Sequence, residues 1–511
     1  MGILVLIWIA QWLILSPHFS LPPMYDGAWN YSDLLGVLSG PGRLSDSVLS
    51  GHTTMGYVQI LLLSQRWAPG NVALVGVTNY LLLAAATGAF WRIARQLLTG
   101  PRLRFEVAVT TALFGLSPLV LANLLHLNWD FGVMVFEVLF LGALLSDRLW
   151  LAGLFGLMMA LSKENGAPLY AAAGVLYAVI TQVQPRRRVA LLWPCFVYAG
   201  AVYLAFRLQA ARPNGYLELE IYAKNGWAFV YRVFHFDPFQ PGIQSYLADI
   251  FVLNFAWILS LPLAGFVGLR ILGKARAVPE LDQPRARFLG LLLLVVVYLI
   301  TRYCPFNNVR YLLTAVPLVI LLQVYSLIRL IDNERVRRCI LAVCLGLMVA
   351  SNFRTLDPVS GAFFGTFPWG RHSCLRLASL LSPHLIGRDE LVYNLEFLQL
   401  GHLQDQVFQD IGVRPDTLIF VSQGAEFWMP GWIGAGSQRT TPRQAGSFEF
   451  HYCIDPHGPV GTSPFYFLDF PNVPVHSELN VLKGRFGEPE VRLYERDGYT
   501  LRLYRWLGGA R

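Results

Sequence analysis

Apolar residues recur along this chain in long runs separated by short polar connections, and the runs approach bilayer length. A membrane-spanning helix needs roughly 20 mainly apolar residues. Eleven windows fit, at 2–16, 70–91, 106–124, 131–146, 149–163, 166–183, 189–206, 247–271, 288–303, 311–330 and 339–351. The pattern predicts an α-helical polytopic membrane protein with about 11 transmembrane helices. A further apolar stretch, 55–67, is too short to cross and reads as an amphipathic helix lying on the membrane surface. The first run has no basic residues before it and no small-residue cleavage motif after it, so it reads as a retained span.

Basic residues alternate with the connections. Those after the second, fourth, sixth, eighth and tenth windows hold about seventeen Arg and Lys, against about nine in the opposite set. This bias places the amino terminus in the cytoplasm and, with an odd number of spans, the carboxyl terminus outside. Outer loops are then expected at 17–54 and 207–246, within a membrane domain spanning 1–351.

From 352 to 511 the pattern changes to short alternating apolar runs bounded by Gly, Pro and Asp. Strands are predicted at 418–421 and 465–470. A hairpin over 491–506 places Leu493 and Tyr494 on one arm and Leu501, Leu503 and Tyr504 on the other, turning at Asp497-Gly498. This segment reads as a C-terminal extracytoplasmic α/β domain, periplasmic if the membrane is a bacterial inner membrane.

Composition agrees with the pattern. Of 511 residues, 55% are hydrophobic and 14% charged, where a soluble domain carries about 25% charged residues. Disorder, a coiled coil and a disulfide scaffold are excluded, since apolar residues are too many and six cysteines too few. A net charge of +8 suggests nucleic acid in a soluble protein, but here the arginines sit in short connections where they set orientation. Cys374 and Cys453 are the candidate disulfide, and no cysteine spacing resembles a zinc site.

Ionisable residues within or beside spans are costly and mark water, a partner or a functional cavity. On the outer face these are Asp26, Asp33, Asp46, His52, Asp130, Lys163, Glu164, Arg302 and Arg310. Four of the places they occupy have two readings each. Asp26, before Gly27, either starts a turn or helix over 28–38 or presents a carboxylate at the membrane boundary. Asp130 either caps a helix or helps to bind a metal or an acceptor. Lys163-Glu164, between two nearly contiguous spans, is either a snorkelling pair or part of a site. Arg310-Tyr311 is either an interfacial anchor or a fork-shaped phosphate donor.

Taken together, these segments resemble the GT-C superfamily of membrane glycosyltransferases, in the branch holding protein O-mannosyltransferases, lipid A aminoarabinose transferases and galacturonosyltransferase-like proteins. The resemblance covers much of 1–330. It rests on Asp26 in the first outer loop and on Gly51-His52-Thr53-Thr54-Met55-Gly56-Tyr57, which has Thr-Thr where the family has Pro-Pro. It rests also on Asp130 at a span start, on Gly156 to Lys163 at a span end, and on Arg310 to Pro317 opening a late span. The resemblance implies an inverting transfer of a hexosyl or pentosyl group from a polyprenyl-phosphate donor to a lipid, glycan or protein acceptor. By it, Asp26 is the general base, Lys163, Arg310 and His52 bind the donor phosphate, and Asp130 and Glu164 orient the acceptor or hold a divalent metal. Tyr57 and Tyr311 are lesser members of the site. A secondary transporter and a non-catalytic glycan-assembly protein are the rival readings; unlike a transporter, the chain shows no matching halves and gathers its charges at one interface.

Overall fold

The computed structural model describes residues 2–39 (save 22, 24 and 25), 55–181, 184–210, 246–273 (save 248 and 254–256), 283–303, 309–353 and 389–422 (save 415), with shorter segments up to 507. His52, Asp46, most of loop 207–246 and the Asp497-Gly498 turn lie outside them.

Every predicted window is met by helix. α1 (Gly2–Leu15) is followed by α2 (Asp26–Ser39), α3 (Tyr57–Trp67) and α4 (Val72–Leu97). Next come α5 (Arg104–Gly115), α6 (Pro118–Leu125), α7 (Trp129–Leu145), α8 (Leu149–Ala160), α9 (Gly166–Ile180) and α10 (Pro185–Ala210). The series closes with α11 (Trp257–Ile271), α12 (Gln283–Tyr303), α13 (Val316–Leu330) and α14 (Glu334–Ala350). Among described residues three runs are long and apolar enough to cross a membrane, Val72–Leu97, Pro101–Leu125 and Gln283–Arg302; six others are shorter apolar helices. The chain is a helical membrane protein by this architecture.

Two windows differ from expectation. The one at 106–124 is broken between α5 and α6, because Pro118 opens the second helix and holds Ser117 extended. The one at 247–271 is a π-helical turn, Asp249–Leu253, before α11 begins at Trp257. The short stretch 55–67 forms helix α3, which buries Tyr57, Val58, Leu61, Leu62 and Gln65 and leaves Leu63 and Trp67 exposed.

Close packing rests on small residues. A Cβ on Gly132 of α7 would lie 2.6 Å from the Tyr57 ring, and one on Gly156 of α8 would lie 2.1 Å from Tyr170 of α9. Polar ties fix the register. Gln11 of α1 donates to Thr87 Oγ1 and to the Gly115 carbonyl, and the buried Glu106 of α5 pairs with Arg337 of α14 at 2.7 Å.

Past residue 353 the described chain holds a two-stranded ribbon, β1 (Thr366–Trp369) and β2 (His372–Leu375), then α15 (Asp389–Ile411). A six-stranded mixed sheet follows in the order β4-β5-β3-β6-β8-β7. Its strands are β3 (Leu418–Phe420), β4 (Thr441–Ala445), β5 (Phe448–Cys453), β6 (Phe465–Asp469), β7 (Glu490–Arg496) and β8 (Tyr499–Trp506). β3 runs parallel to β5 and β6, and β7 and β8 form the expected antiparallel arms with Tyr494 opposite Leu501. Helix α16 (Ser477–Phe486) covers Phe420, Phe465, Phe467 and Trp506 with Leu479 and Leu482. Cys453 is a free thiol that donates to the Asp455 carbonyl at 3.3 Å, so the candidate disulfide with Cys374 is not formed. Helix α15 touches both α6 and the β7–β8 hairpin, and its His402 ring lies 5.6 Å from His18 just after α1.

Candidate functional site

The site is built on the α6–α7 connection. Leu127 adopts a left-handed conformation, φ +50°, which costs energy for a residue with a γ-branched side chain. That bend lets Asn128 cap α7, accepting from the Phe131 N–H at 2.9 Å. With the cap supplied by Asn128, Asp130 in the first turn is released from the capping role. Its carboxylate turns instead to Lys163, whose Nζ lies 3.1 Å from Oδ1 and 3.0 Å from Oδ2. Asn165 Nδ2 also donates to Oδ1, at 3.3 Å.

Lys163 stands in the tight α8–α9 connection. Gly56 and Tyr57, entering α3, donate their N–H groups to the Leu161 carbonyl and to Ser162 Oγ, which pins that connection to α3. Gly166 permits the closeness of the turn, since a Cβ there would lie 2.2 Å from the Met159 carbonyl oxygen. Arg310 comes from a 3-10 turn, Val309–Leu312, before α13, and its Nε lies 3.9 Å from Asp130 Oδ2. Tyr311 sits between the cations, with Lys163 Nζ 5.0 Å and Arg310 Cζ 5.3 Å from its ring centroid.

The side chains of Asp130, Lys163 and Arg310 are 4%, 10% and 17% exposed, so two cations and one anion share a nearly dry enclosure. The ammonium donates to both oxygens of the carboxylate, and the guanidinium approaches the same group. Lys163 therefore pairs with Asp130 from another connection.

Helix α2 reaches the same place. Gly27 lies against the carbonyl of His126, where a Cβ would stand 1.9 Å from the oxygen, and Asn30 donates to the Leu127 carbonyl at 2.9 Å. Asp26 is the first residue of α2, and its side chain lies outside the described residues. Asn30, in an Asn-Tyr-Ser sequence, is buried and so engaged, which removes it as a glycosylation acceptor in the folded chain. Tyr57 is fully buried, its hydroxyl donating to Asn79 Oδ1 at 2.5 Å, and it builds the wall of the site. Arg302 ends α12.

Metal binding by Asp130 fits poorly, because Lys163 already faces both carboxylate oxygens. Among the described residues no three His, Cys, Asp or Glu side chains are grouped to hold an ion. Asn128 and Asn165 were missing from the sequence-based site. An Asn directly before Trp-Asp at a span start is a legible capping signal, whereas the approach of Asn165 to Asp130 depends on packing.

No protein-family model matches the chain, and no curated protein matches it. Solved structures do. ArnT from Cupriavidus metallidurans bound to undecaprenyl phosphate superposes with a TM-score of 0.52 at 13% identity, over 98% of each chain. The same protein in the apo state gives 0.53 at 12%, over 98% of this chain and 97% of that one. The chain has the GT-C fold. The GT-C likeness runs nearly end to end. At such low identity it speaks for the fold, and the roles of single residues rest on the geometry above.

Proposed function

We propose that this chain is an inverting glycosyltransferase that moves a sugar from a polyprenyl-phosphate donor to a lipid, glycan or protein acceptor at the outer membrane face. The observation that carries the reading is the convergence of Lys163 and Arg310, from separate connections, on the buried Asp130. The trio has one net positive charge, in an enclosure where fixed donors stabilise a developing anion more strongly than water does. A phosphate leaving group needs such stabilisation and no carboxylic acid to protonate it. In the step proposed, the acceptor's nucleophilic atom attacks the anomeric carbon from the face opposite the phosphate. The bond from that carbon to the phosphate oxygen breaks, and Lys163 and Arg310 take up the charge on the departing phosphate. Asp26 receives the acceptor proton. Its position at the head of α2, which Gly27 and Asn30 hold against the α6–α7 turn, supports that assignment.

On this reading His52 and Glu164 border the donor and acceptor, the N-terminus is cytoplasmic, and residues 352–511 form an extracytoplasmic domain. Transfer from a radiolabelled polyprenyl-phosphate sugar in proteoliposomes tests the reading. Asp26→Asn is expected to abolish product while donor binding persists. An active Asp26→Asn enzyme removes the base role, and accumulation of unmodified substrate inside the vesicles supports a transporter instead.

A further inference from the structure

A lipid-sized cavity lies along α13, with its charged end far from the Arg310 turn. Helices α11, α12 and α13 enclose a cavity of about 1100 Å³, above the usual small-molecule range of ~300–1,000 Å³. Its walls are apolar, and Leu261, Val267 and Leu294 on them are exposed, so the cavity opens sideways toward the bilayer interior. At one end it is lined by Arg270 from the last turn of α11, Arg287 from the first turns of α12 and Arg329 from the last turn of α13. No carboxylate lines it among the described residues.

Arg329 is the unusual member. It is 6% exposed, and its Nε and Nη1 have no hydrogen-bond partner among the described residues. Nearby, the buried Ser326 hydroxyl is likewise unpartnered. The guanidinium instead lies over Phe266 at 5.5 Å and Tyr325 at 6.0 Å. Orientation in a membrane requires only exposed arginines in a connection, and does not explain a buried one facing a cavity. A buried guanidinium with two nitrogens unpartnered among the described residues is costly unless an anion meets it. The rise of α13 sets Arg329 about 20 Å from the Arg310 turn, at the face that the arginine bias assigns to the cytoplasm. The cavity's charged end is thus separate from the site built on Asp130.

We propose that this cavity binds one anionic phospholipid, its phosphate held by Arg270, Arg287 and Arg329 and its acyl chains lying along α11 and α12. Charge complementarity decides the occupant: three guanidinium groups with no lining carboxylate among the described residues suit a phosphodiester of net negative charge, and the apolar walls suit its chains. Arg270 and Arg287 are exposed, so both can be changed without disturbing the core.

Native mass spectrometry of the delipidated full chain, titrated with phosphatidylglycerol and phosphatidylcholine of equal chain length, tests this. Wild type is expected to bind phosphatidylglycerol at least about tenfold more tightly, and the Arg270→Gln/Arg287→Gln double variant to lose roughly that preference. Arg329→Lys, which keeps the charge but not the fork, is expected to bind with intermediate affinity. Lys163→Gln is expected to leave phosphatidylglycerol binding unchanged. Equal binding of the two lipids, or insensitivity to the arginine pair, overturns the proposal. So does displacement of phosphatidylglycerol by undecaprenyl phosphate at equal concentration, which would make the cavity part of a prenyl donor's path.

Discussion

Removing the negative charge of Asp130 is expected to damage the fold more than removing the positive charge of Lys163. Asp130→Asn leaves two cations, Lys163 and Arg310, facing each other in a nearly dry enclosure. Lys163→Gln leaves Asp130 with Arg310 at 3.9 Å and with the amide of Asn165 at 3.3 Å. At 3.0 Å the attraction between Lys163 and Asp130 is about 5.5 kcal/mol for an effective dielectric of ~20, most of it offset by desolvation. Breaking a buried pair so that one charge is stranded costs ~3–5 kcal/mol, which is the expected loss for Asp130→Asn. Loss of one charged hydrogen bond with substitutes nearby costs about 1.5–3 kcal/mol, the expectation for Lys163→Gln. The double variant should lose no more than Asp130→Asn alone, giving a coupling of roughly 2 kcal/mol in the cycle. Equilibrium unfolding of the four proteins in mixed micelles measures these differences. Additive losses, or a larger loss for Lys163→Gln, would refute the claim that Asp130 holds the buried cations together.

Three further outcomes are expected. Arg310→Ala should weaken donor binding by about tenfold or more, the worth of a charged hydrogen bond, while slowing turnover of bound donor less; titration with a polyprenyl-phosphate sugar and single-turnover kinetics separate the two. Glu137, buried in α7 with neither oxygen bonded among the described residues, should tolerate Gln with unchanged or higher stability, by up to ~1–3 kcal/mol, and a marked loss in unfolding measurements would reveal a partner for its charge. His18 is held at about 4, below its ordinary 6.5, by burial first and then by His402 and Arg496. The unfolded chain therefore binds the extra proton first, and the stability that His18 lends falls as pH drops from 6.5 toward 4. Asp469, raised to about 6 mainly by burial, acts in the opposite sense, so the pH profile of wild type minus that of His18→Gln isolates the histidine.

The helical part of the fold was legible because long apolar runs dominate the chain, and helices occupy the predicted windows even though, among the described residues, only three runs reach bilayer length. What periodicity could not convey was where a run breaks internally. Ser117-Pro118 divides a window that hydropathy alone makes continuous, although the proline is the local signal. Around the site, the charged residues could be read but their pairing could not. Lys163 stands beside Glu164 in sequence and bonds to Asp130, thirty-three residues away, because the turn between α8 and α9 aims it across the bundle. Asp130 had the position of a helix cap, and the preceding Asn128 took that role, since only it has the extended backbone a cap requires. Cys453 had the look of half a disulfide, and a local carbonyl satisfies its thiol.

The same turn explains why α2 belongs to the site whichever side chain moves the proton. Leu127 pays for its left-handed backbone only while its surroundings hold it there. Part of that hold comes from α2, through the Asn30 amide on the Leu127 carbonyl and the close seat of Gly27 on His126. If α2 withdrew, the turn could relax, Asn128 would lose its capping geometry, and the first turn of α7 would rotate Asp130 away from Lys163. The position of residue 26 and the charge balance around Asp130 are therefore one structural variable. A sequence change that moves the head of α2 reaches the cations without touching them.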